Sequence, residues 1–167
     1  MGLKRMELTE FTPDIFQVFG KQPPLLTAGG REACNTMTIG WCQLGRLWNL
    51  PVCTVFVRPE RYTYEFMERG AYFTVSVFDA SYKAVLADCG RRSGRDADKI
   101  GENHLTLCYG QGDAPYFAEA DWVLVCKKLY TADLKREGML DERIPAHYET
   151  DGLHRVYVGE VKEIYHK

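Results

Sequence analysis

The fold of this chain can be inferred first from the stretch Asn35-Thr36-Met37-Thr38-Ile39-Gly40-Trp41. It alternates residue types as a half-buried strand does, so the odd-numbered side chains from Asn35 to Trp41 are expected on one face. The stretch carries an amide, two hydroxyls and an indole instead of a clean polar face. Such a strand offers hydrogen bonds to a ligand and, through the indole, a flat apolar surface.

A second polar stretch, Arg58-Pro59-Glu60-Arg61-Tyr62-Thr63, follows the next apolar strand. Thr63 is predicted to cap a helix over Tyr64–Arg69. Arginines, a hydroxyl and a helix N-terminus together favour an anion, because charged donors and free backbone N–H groups converge there. With the indole of Trp41 nearby, the two stretches predict a nucleotide-like ligand that has a phosphate and a planar ring. The alternative is that Thr63 only caps the helix and that the arginines are surface charges.

The composition of the 167-residue chain predicts one globular domain over residues 1–167. The net charge is −2, with acidic and basic residues interspersed, so no surface for nucleic acid is expected. The N-terminal segment Met1–Glu7 lacks the apolar core of a signal peptide. No apolar run approaches the ~20 residues that span a bilayer. We therefore expect a cytoplasmic protein that does not bind membranes.

The six cysteines are expected to be buried free thiols rather than metal ligands. None forms a C-x-x-C pair, and no histidine lies at zinc-finger spacing from them. Most lie in apolar or strand-like runs, where a thiol packs as a small hydrophobic group. Cys42 is the exception of interest, since it follows Trp41 at the edge of the predicted ligand site. No metal site is predicted.

The pattern along the chain is one of strands separated by short helices. The predicted strands are Ala33–Trp41, Val52–Val57, Tyr72–Phe78, His104–Tyr109, Trp122–Thr131 and Arg155–Tyr165, and the predicted helices are Tyr64–Arg69, Tyr82–Cys89 and Arg95–Glu102. Val52–Val57 is nearly all apolar and is expected to be buried on both faces. Because no regular βαβ alternation is present, we expect an antiparallel barrel, whose closure leaves no exposed edge.

Two further segments complete a family resemblance. They are the loop Cys89-Gly90-Arg91-Arg92-Ser93-Gly94-Arg95-Asp96-Ala97-Asp98-Lys99 and the tail His154-Arg155-Val156-Tyr157-Val158-Gly159-Glu160-Val161. Together with the first two stretches, and in this order, they resemble the flavin reductase-like family, the FMN-binding split barrels that include the flavoredoxins. The resemblance runs from about Pro23 to the C-terminus. It implies a mainly β fold, a six-stranded antiparallel split β-barrel with short helices.

The resemblance also implies FMN as the cofactor and specific residues that bind it. The resemblance implies that Asn35 and the backbone after it contact the flavin ring and that Trp41 lies near the ribityl-phosphate end. Lys99 reaches the phosphate, and His147 contacts the flavin unless it is an exposed loop histidine. His154 belongs to the closing strand and is expected to be structural. The candidate cofactor-binding residues are Asn35, Thr36, Met37, Thr38, Trp41, Arg58, Arg61, Thr63, Lys99 and His147.

The leading functional interpretation is an FMN-binding oxidoreductase, either a flavin reductase or a flavoredoxin-type electron carrier. The electron donor is expected to be NAD(P)H or an electron-transfer protein, although no Rossmann fingerprint is present. No catalytic residue is assigned, because the flavin ring transfers the electrons while the protein supplies orientation and electrostatics. One alternative is a flavin-binding or storage protein without turnover. The other is a barrel that has lost its cofactor, against which the intact phosphate residues argue.

A homodimer is expected from the aromatic content. The chain has 10 Tyr, 8 Phe and 3 Trp, more than one small barrel readily buries. Tyr116, Phe117, Tyr148 and Tyr165 fall outside the strongest core runs. Exposed aromatic side chains gathered in one patch mark an association surface. The resemblance implies the same, with FMN near the interface between the two subunits.

Overall fold

The computed structural model describes residues 2–150 and 152–167, so Met1 and Asp151, which the predicted domain of residues 1–167 includes, lie outside the described residues. The strands in the described ranges are β1 Lys4–Met6, β2 Leu25–Gly29, β3 Cys34–Thr38, β4 Cys42–Leu47, β5 Leu50–Val57, β6 Tyr72–Val77, β7 Leu107–Tyr109, β8 Pro115–Phe117, β9 Trp122–Asp133 and β10 Arg155–His166. The α-helices are α1 Ile15–Lys21, α2 Tyr62–Arg69, α3 Lys83–Arg91 and α4 Lys99–Glu102. Short 3₁₀ helices lie at Leu8–Glu10, Ala80–Tyr82, Gln111–Asp113, Arg136–Gly138 and Pro145–Tyr148. None of the described helices is long and apolar enough to cross a membrane.

Eight strands form one antiparallel sheet in the order β3-β2-β6-β9-β10-β5-β4, with β1 paired to β10, while β7 and β8 form a separate pair. The two longest strands, β9 and β10, lie side by side at the centre. Their pairing shifts register between Val158 and Gly159 and again between Val161 and Glu163. Such bulges bend a strand and increase its twist, which lets a long sheet curve around a core.

The sheet is covered on both faces, which explains the continuous apolar run in β9. Trp122, Leu124 and Cys126 pack into the core formed with β5, β6 and β10. Val123 and Val125 pack on the opposite face with residues of α3 and β8. In β5, by contrast, Val55 and Val57 are fully buried while Phe56 is half-buried. The prediction that Val52–Val57 is buried on both faces is therefore only partly right, since the face that carries Phe56 borders a cavity.

The sheet is split between its two edge strands, and this split positions the site. β3 and β4 lie at opposite ends of the strand order, yet only the residues Ile39-Gly40-Trp41 separate them in the chain. In the part of the chain that the structure describes, the side of β3 that faces away from β2 has no strand partner, and α2 and α3 pack near it instead. Backbone N–H and C=O groups on such an edge are available to side chains or to a ligand.

The mainly β class with an antiparallel sheet and short helices is confirmed, although the sheet has eight strands instead of six. Three strands of this sheet, β1, β2 and β4, were not predicted. β4 is mostly exposed and therefore lacks a marked apolar alternation, and it turns into β5 through Trp48 and Asn49, both of which have positive φ. The predicted strand His104–Tyr109 shortens to β7, because His104 also takes a positive φ of 54°.

The helices near the site also differ from the prediction. The N-cap of α2 is Arg61, which makes no side-chain capping bond, so the assignment of Thr63 as the cap is wrong. Thr63 lies within the first turn of α2. Its hydroxyl accepts a hydrogen bond from Asn35 of β3 and does not cap its own helix. The predicted helix Arg95–Glu102 shortens to α4, which begins after the cap Asp98.

The close approach of β6 to β10 generates a testable prediction. A Cβ atom at Gly159 would lie 2.6 Å from Cε1 of Phe73 and 2.9 Å from Cβ of Cys126, both fully buried. Gly159→Ala is therefore expected to reduce the free energy of unfolding by about 1–3 kcal/mol through overpacking. Gly45→Ala, in β4 with no atom within 4 Å of its Cβ, is the control. Urea unfolding of both variants is the measurement, and equal stabilities would contradict the prediction.

Candidate functional site

Two adjoining cavities of about 330 Å³ each lie along β3 and share Met37 and Arg61. The first, the tryptophan cavity, is lined by Met37, Thr38, Ile39, Gly40, Trp41, Phe56, Arg58, Arg61, Gly90 and His154. The second, the lysine cavity, is lined by Asn35, Met37, Glu60, Arg61, Tyr62, Thr63, Arg91, Arg92, Ser93, Gly94, Arg95, Asp96 and Lys99. One cavity is thus largely apolar and aromatic, whereas the other is polar and rich in cations.

Lys99 places a buried positive charge at the wall of the lysine cavity. Its side chain is only 3% exposed. The ammonium donates hydrogen bonds to the carbonyl oxygens of Thr36, at 2.7 Å, and Cys89, at 3.1 Å. An ammonium has three N–H groups, so one remains for a further acceptor. Burial lowers the pKa of Lys99 from its usual value, as expected for a cation held away from water by neutral partners alone.

Two arginines of the lysine cavity pair with carboxylates that lie outside its lining, whereas Glu60 and Asp96 belong to the lining itself. Arg92 bonds Asp88 at 2.5 Å and Glu102 at 2.6 Å, and its hydrogen bond holds the pKa of Asp88 at about 2. Arg95 pairs with Glu65. Arg61 instead donates to the carbonyl of Gly90 at 2.7 Å. Within the described residues, Lys99 and Arg61 therefore bring positive charge to the cavity with carbonyl oxygens as their hydrogen-bond acceptors.

Asn35 and Thr63 meet at the floor of the lysine cavity. The amide nitrogen of Asn35 donates to the Thr63 hydroxyl at 2.7 Å, and both side chains are buried. Because this oxygen accepts, its own hydrogen is left to donate to another group. Gly94 closes over them so tightly that a Cβ there would lie 1.9 Å from Oδ1 of Asn35. The loop before α4 therefore requires glycine at this position.

The hydroxyls of Thr36 and Thr38 are bonded within the protein. Thr36 bonds the hydroxyl of Thr27 at 2.9 Å and the carbonyl of Leu26 at 3.2 Å. Thr38 donates to the carbonyl of Leu86 in α3. Since the Thr36 carbonyl accepts from Lys99 on the open edge of β3, the backbone of Thr38, two residues on, faces the same edge. What Thr38 offers to the tryptophan cavity is thus its backbone, not its hydroxyl.

Trp41 stands at the centre of an aromatic cluster. Its ring lies 4.7 Å from that of His154, 5.6 Å from His147 and 6.1 Å from Tyr148, centroid to centroid. The indole remains 39% exposed. Arg58 donates to the carbonyl of His147 at 2.9 Å, which holds the 3₁₀ helix Pro145–Tyr148 beside the cavity.

The structure brings His154, and not His147, to the lining of the tryptophan cavity. His147 lies against Trp41 but lines neither cavity. His154 was expected to be structural, because the family resemblance assigns its segment to the closing strand. The signal that favoured it was its position at the start of the alternating tail, which places a side chain at the open end of β10. Phe56, Ser93 and Arg95 also line the cavities without having been predicted.

His154 is held in its neutral form. Burial, and next the charge of Arg58, lower its pKa to about 4. Both causes act in the same direction, because burial and a nearby cation each disfavour the imidazolium. The Nδ1 atom lies 3.1 Å from the hydroxyl oxygen of Tyr148. At neutral pH this side chain is therefore an uncharged hydrogen-bonding group in the cavity wall.

Cys42 does not line either cavity. Its sulfur lies 3.6 Å from that of Cys53, and all six cysteines are free thiols. The hydrogen bond with Cys53 and burial raise the pKa of Cys42 well above its usual value, so the protonated thiol is favoured. Over residues 2–150 and 152–167, no cluster of three or more His, Cys, Asp and Glu side chains is placed to hold a metal ion.

Comparisons with known proteins extend over most of the chain. The family model described as the flavin reductase like domain matches residues 17–167. A flavoredoxin from Methanosarcina acetivorans is similar, with 24% identity, a TM-score of 0.70 and coverage of 87% of this chain and 69% of that chain. An FMN-binding protein from Thermus thermophilus has 18% identity, a TM-score of 0.68 and coverage of 87% and 71%. The NADH:FAD oxidoreductase SgcE6 from Streptomyces globisporus C-1027 has 17% identity, a TM-score of 0.63 and coverage of 86% and 74%.

At these identities the structural likenesses show the fold. A comparison with curated proteins gives no match.

The depressed pKa of His154 predicts its titration. An NMR titration of the imidazole, assigned with His154→Gln, should show a midpoint near pH 4 instead of the usual 6.5. The unfolded chain then binds this proton first, so this histidine should lower the free energy of unfolding as the pH falls from about 6.5 to about 4. A midpoint near 6.5 would show that neither burial nor Arg58 acts on the ring as the structure indicates.

Proposed function

Because this chain belongs to the flavin reductase-like domain family, we propose that it binds FMN across the two cavities and transfers electrons through it. The observation that carries the proposal is the environment of Lys99. Among residues 2–150 and 152–167, the acceptors of this buried ammonium are carbonyl oxygens alone. Such a cation is costly to keep charged unless an anion joins it. The apolar tryptophan cavity adjoins this charge, so a ligand with both an anionic end and a flat ring fits the pair.

The phosphate end belongs in the lysine cavity. Lys99 has an N–H group left to donate, and the Thr63 hydroxyl has a hydrogen left to donate. Arg61 adds a second positive charge where the two cavities join. Hydrogen bonds from charged donors to phosphate are roughly twice as strong as neutral ones. The residues present therefore fit a phosphate dianion.

The ring end belongs in the tryptophan cavity. Met37, Ile39 and Phe56 supply an apolar bed, and the open edge of β3 supplies backbone hydrogen bonds at Thr38. This placement reverses the roles expected for two residues. Asn35 serves the phosphate end through Thr63, and Trp41 borders the ring instead of the ribityl-phosphate end.

We favour FMN over FAD because of the charges that remain unpaired. Of the further cations that line the lysine cavity, Arg92 and Arg95 are paired with carboxylates, and Arg91 lies 3.5 Å from Asp88. Lys99 and Arg61 together match one phosphate dianion, and no comparable set of cations is left for an adenosine diphosphate arm. Among the similar structures, an FMN-binding protein and an NADH:FAD oxidoreductase are both present, so the cofactor needs a direct test.

A bound flavin would supply the electron transfer, accepting and passing on electrons as its ring is reduced and reoxidised. The protein's contribution is binding, orientation and electrostatics. Trp41 and Phe56 exclude water from the cavity wall, and the neutral imidazole of His154 adds a polar group without adding charge. The electron donor is NAD(P)H or an electron-transfer protein, in line with the described activities of the similar NADH:FAD oxidoreductase and flavoredoxin. A cytoplasmic location remains our expectation.

We also propose that the protein forms a homodimer, although through other aromatics than expected. Phe117 and Tyr148 are buried within the chain, and Tyr116 stacks on Tyr165 at 5.1 Å, so these four do not form an exposed patch. Among the described residues, four exposed large apolar side chains lie instead at the β4–β5 turn and on β9, namely Leu47, Trp48, Leu129 and Tyr130. Trp48 is 56% exposed and packs against Tyr130, which is 51% exposed. A twofold interface would use this patch on both chains.

The phosphate assignment predicts which ligands each variant loses. Lys99→Met and Thr63→Val should each weaken FMN binding by about 1–3 kcal/mol, the scale of a hydrogen bond to a charged group. Riboflavin, which lacks the phosphate, should bind the parent and the variants about equally. Fluorescence titration measures both affinities, and Lys127→Met, at an exposed position of β9, is the control. An equal loss for riboflavin, or tighter binding of FAD than of FMN by the parent, would contradict the assignment.

The dimer proposal makes its own prediction. Multi-angle light scattering at micromolar concentration should give twice the chain mass for the parent. Trp48→Glu places a charge in the proposed interface and should shift the mass towards the monomer. Glu142→Gln, at an exposed position in the segment between β9 and β10, should leave the mass unchanged. If the parent is monomeric and still binds FMN tightly, neither the interface nor a shared site exists.

A further inference from the structure

Tyr148 makes an unusual contact for a residue in a loop. It ends the 3₁₀ helix Pro145–Tyr148, yet it is only 3% exposed. Its backbone carbonyl accepts from Arg136 at 3.0 Å, and its ring lies 5.5 Å from the guanidinium carbon of Arg58. Its hydroxyl contacts Nδ1 of His154 at 3.1 Å, and no other partner for the hydroxyl is present within residues 2–150 and 152–167. The loop is therefore anchored so that one hydroxyl meets one imidazole nitrogen.

The need to satisfy every buried donor shows whether the Tyr148 hydroxyl or Nδ1 of His154 donates in this contact. If Nδ1 carried the hydrogen and donated to the oxygen, the hydroxyl hydrogen of Tyr148 would be buried without an acceptor. Leaving a buried donor unpaired costs the full desolvation penalty of that group. If the hydroxyl donates to Nδ1 instead, both groups are satisfied. The neutral imidazole then carries its hydrogen on Nε2.

We infer that Tyr148 is a positioning residue that holds His154 in the Nε2–H tautomer, so that the tryptophan cavity presents a neutral N–H donor to its ligand. His154 lines this cavity, and its Nε2 has no partner among the described residues. Arg58 lines the same cavity and adds positive charge. The ligand edge that faces these two residues must therefore carry hydrogen-bond acceptors, such as carbonyl oxygens or unprotonated ring nitrogens.

The tautomer follows from the protein alone, whereas the selection of an acceptor edge rests on the proposed function, in which this cavity holds the ring. The two claims are therefore tested separately. The lowered pKa of His154 agrees with a neutral ring at pH 7. Without the contact from Tyr148, the ring would be free to exchange tautomers or to rotate within the cavity wall.

The first test reads the tautomer by ¹⁵N NMR of the ligand-free protein at pH 7. In the parent, Nε2 of His154 should be the protonated nitrogen, and the hydroxyl proton of Tyr148 should exchange slowly with water. Tyr148→Phe keeps the ring and removes only the hydroxyl, and it should give averaged nitrogen shifts from exchanging forms. Tyr109→Phe, at a half-buried tyrosine of β7 that lines neither cavity, is the control. A parent protonated on Nδ1, or nitrogen shifts unchanged in Tyr148→Phe, would overturn the inference.

The second test asks whether the N–H group serves the ligand, with riboflavin as the probe because it lacks the phosphate. His154→Gln keeps a neutral N–H donor, whereas His154→Leu keeps only the bulk. We expect His154→Leu to weaken riboflavin binding about three- to tenfold, the effect of one hydrogen bond, and His154→Gln to bind nearly as the parent does. Equal affinities of the Gln and Leu variants would refute the donor role even if the tautomer is as inferred. If riboflavin does not bind the parent, while the tautomer is correct, the proposed function fails and the positioning by Tyr148 stands.

Discussion

The buried ammonium of Lys99 is the constraint on which the site depends. It bonds the carbonyl of Thr36 on the edge strand and that of Cys89 in α3, so it ties three separate segments of the chain together. The two neutral carbonyls accept two of its three hydrogen bonds but do not cancel its charge. The same residue therefore stabilises the split edge of the sheet and leaves an electrostatic requirement for an anion. Structure and ligand binding are linked through one side chain.

The split of the sheet supplies the other half of the site. Closing β3 onto β4 with a ladder of hydrogen bonds would consume the backbone groups that now face the cavities. The link Ile39-Gly40-Trp41 keeps the two edges apart and places an indole in the gap. The segment between β9 and β10 packs against this indole through His147 and Tyr148. An apolar pocket and a cationic pocket thus lie side by side along one edge strand.

Much of this architecture could be predicted from local patterns, and the failures have physical causes. β3, β5, β6, β9 and β10 carry strong apolar alternation or continuous apolar runs, so their existence was predictable. β4 was missed because an exposed edge strand has no buried face to mark it. The grouping of Asn35, Thr63 and Lys99 was anticipated by the family resemblance. The choice between His147 and His154 depended on how a long excursion packs against Trp41, and no local pattern encodes such a long-range contact.

A crystal structure of the protein with FMN tests the central claim most directly. We expect phosphate oxygens at about 2.7–3.2 Å from the ammonium nitrogen of Lys99, the range of a hydrogen bond, with the ring in the tryptophan cavity beside Trp41 and His154. A phosphate remote from Lys99, with the ammonium still bonded only to the carbonyls of Thr36 and Cys89, would contradict it.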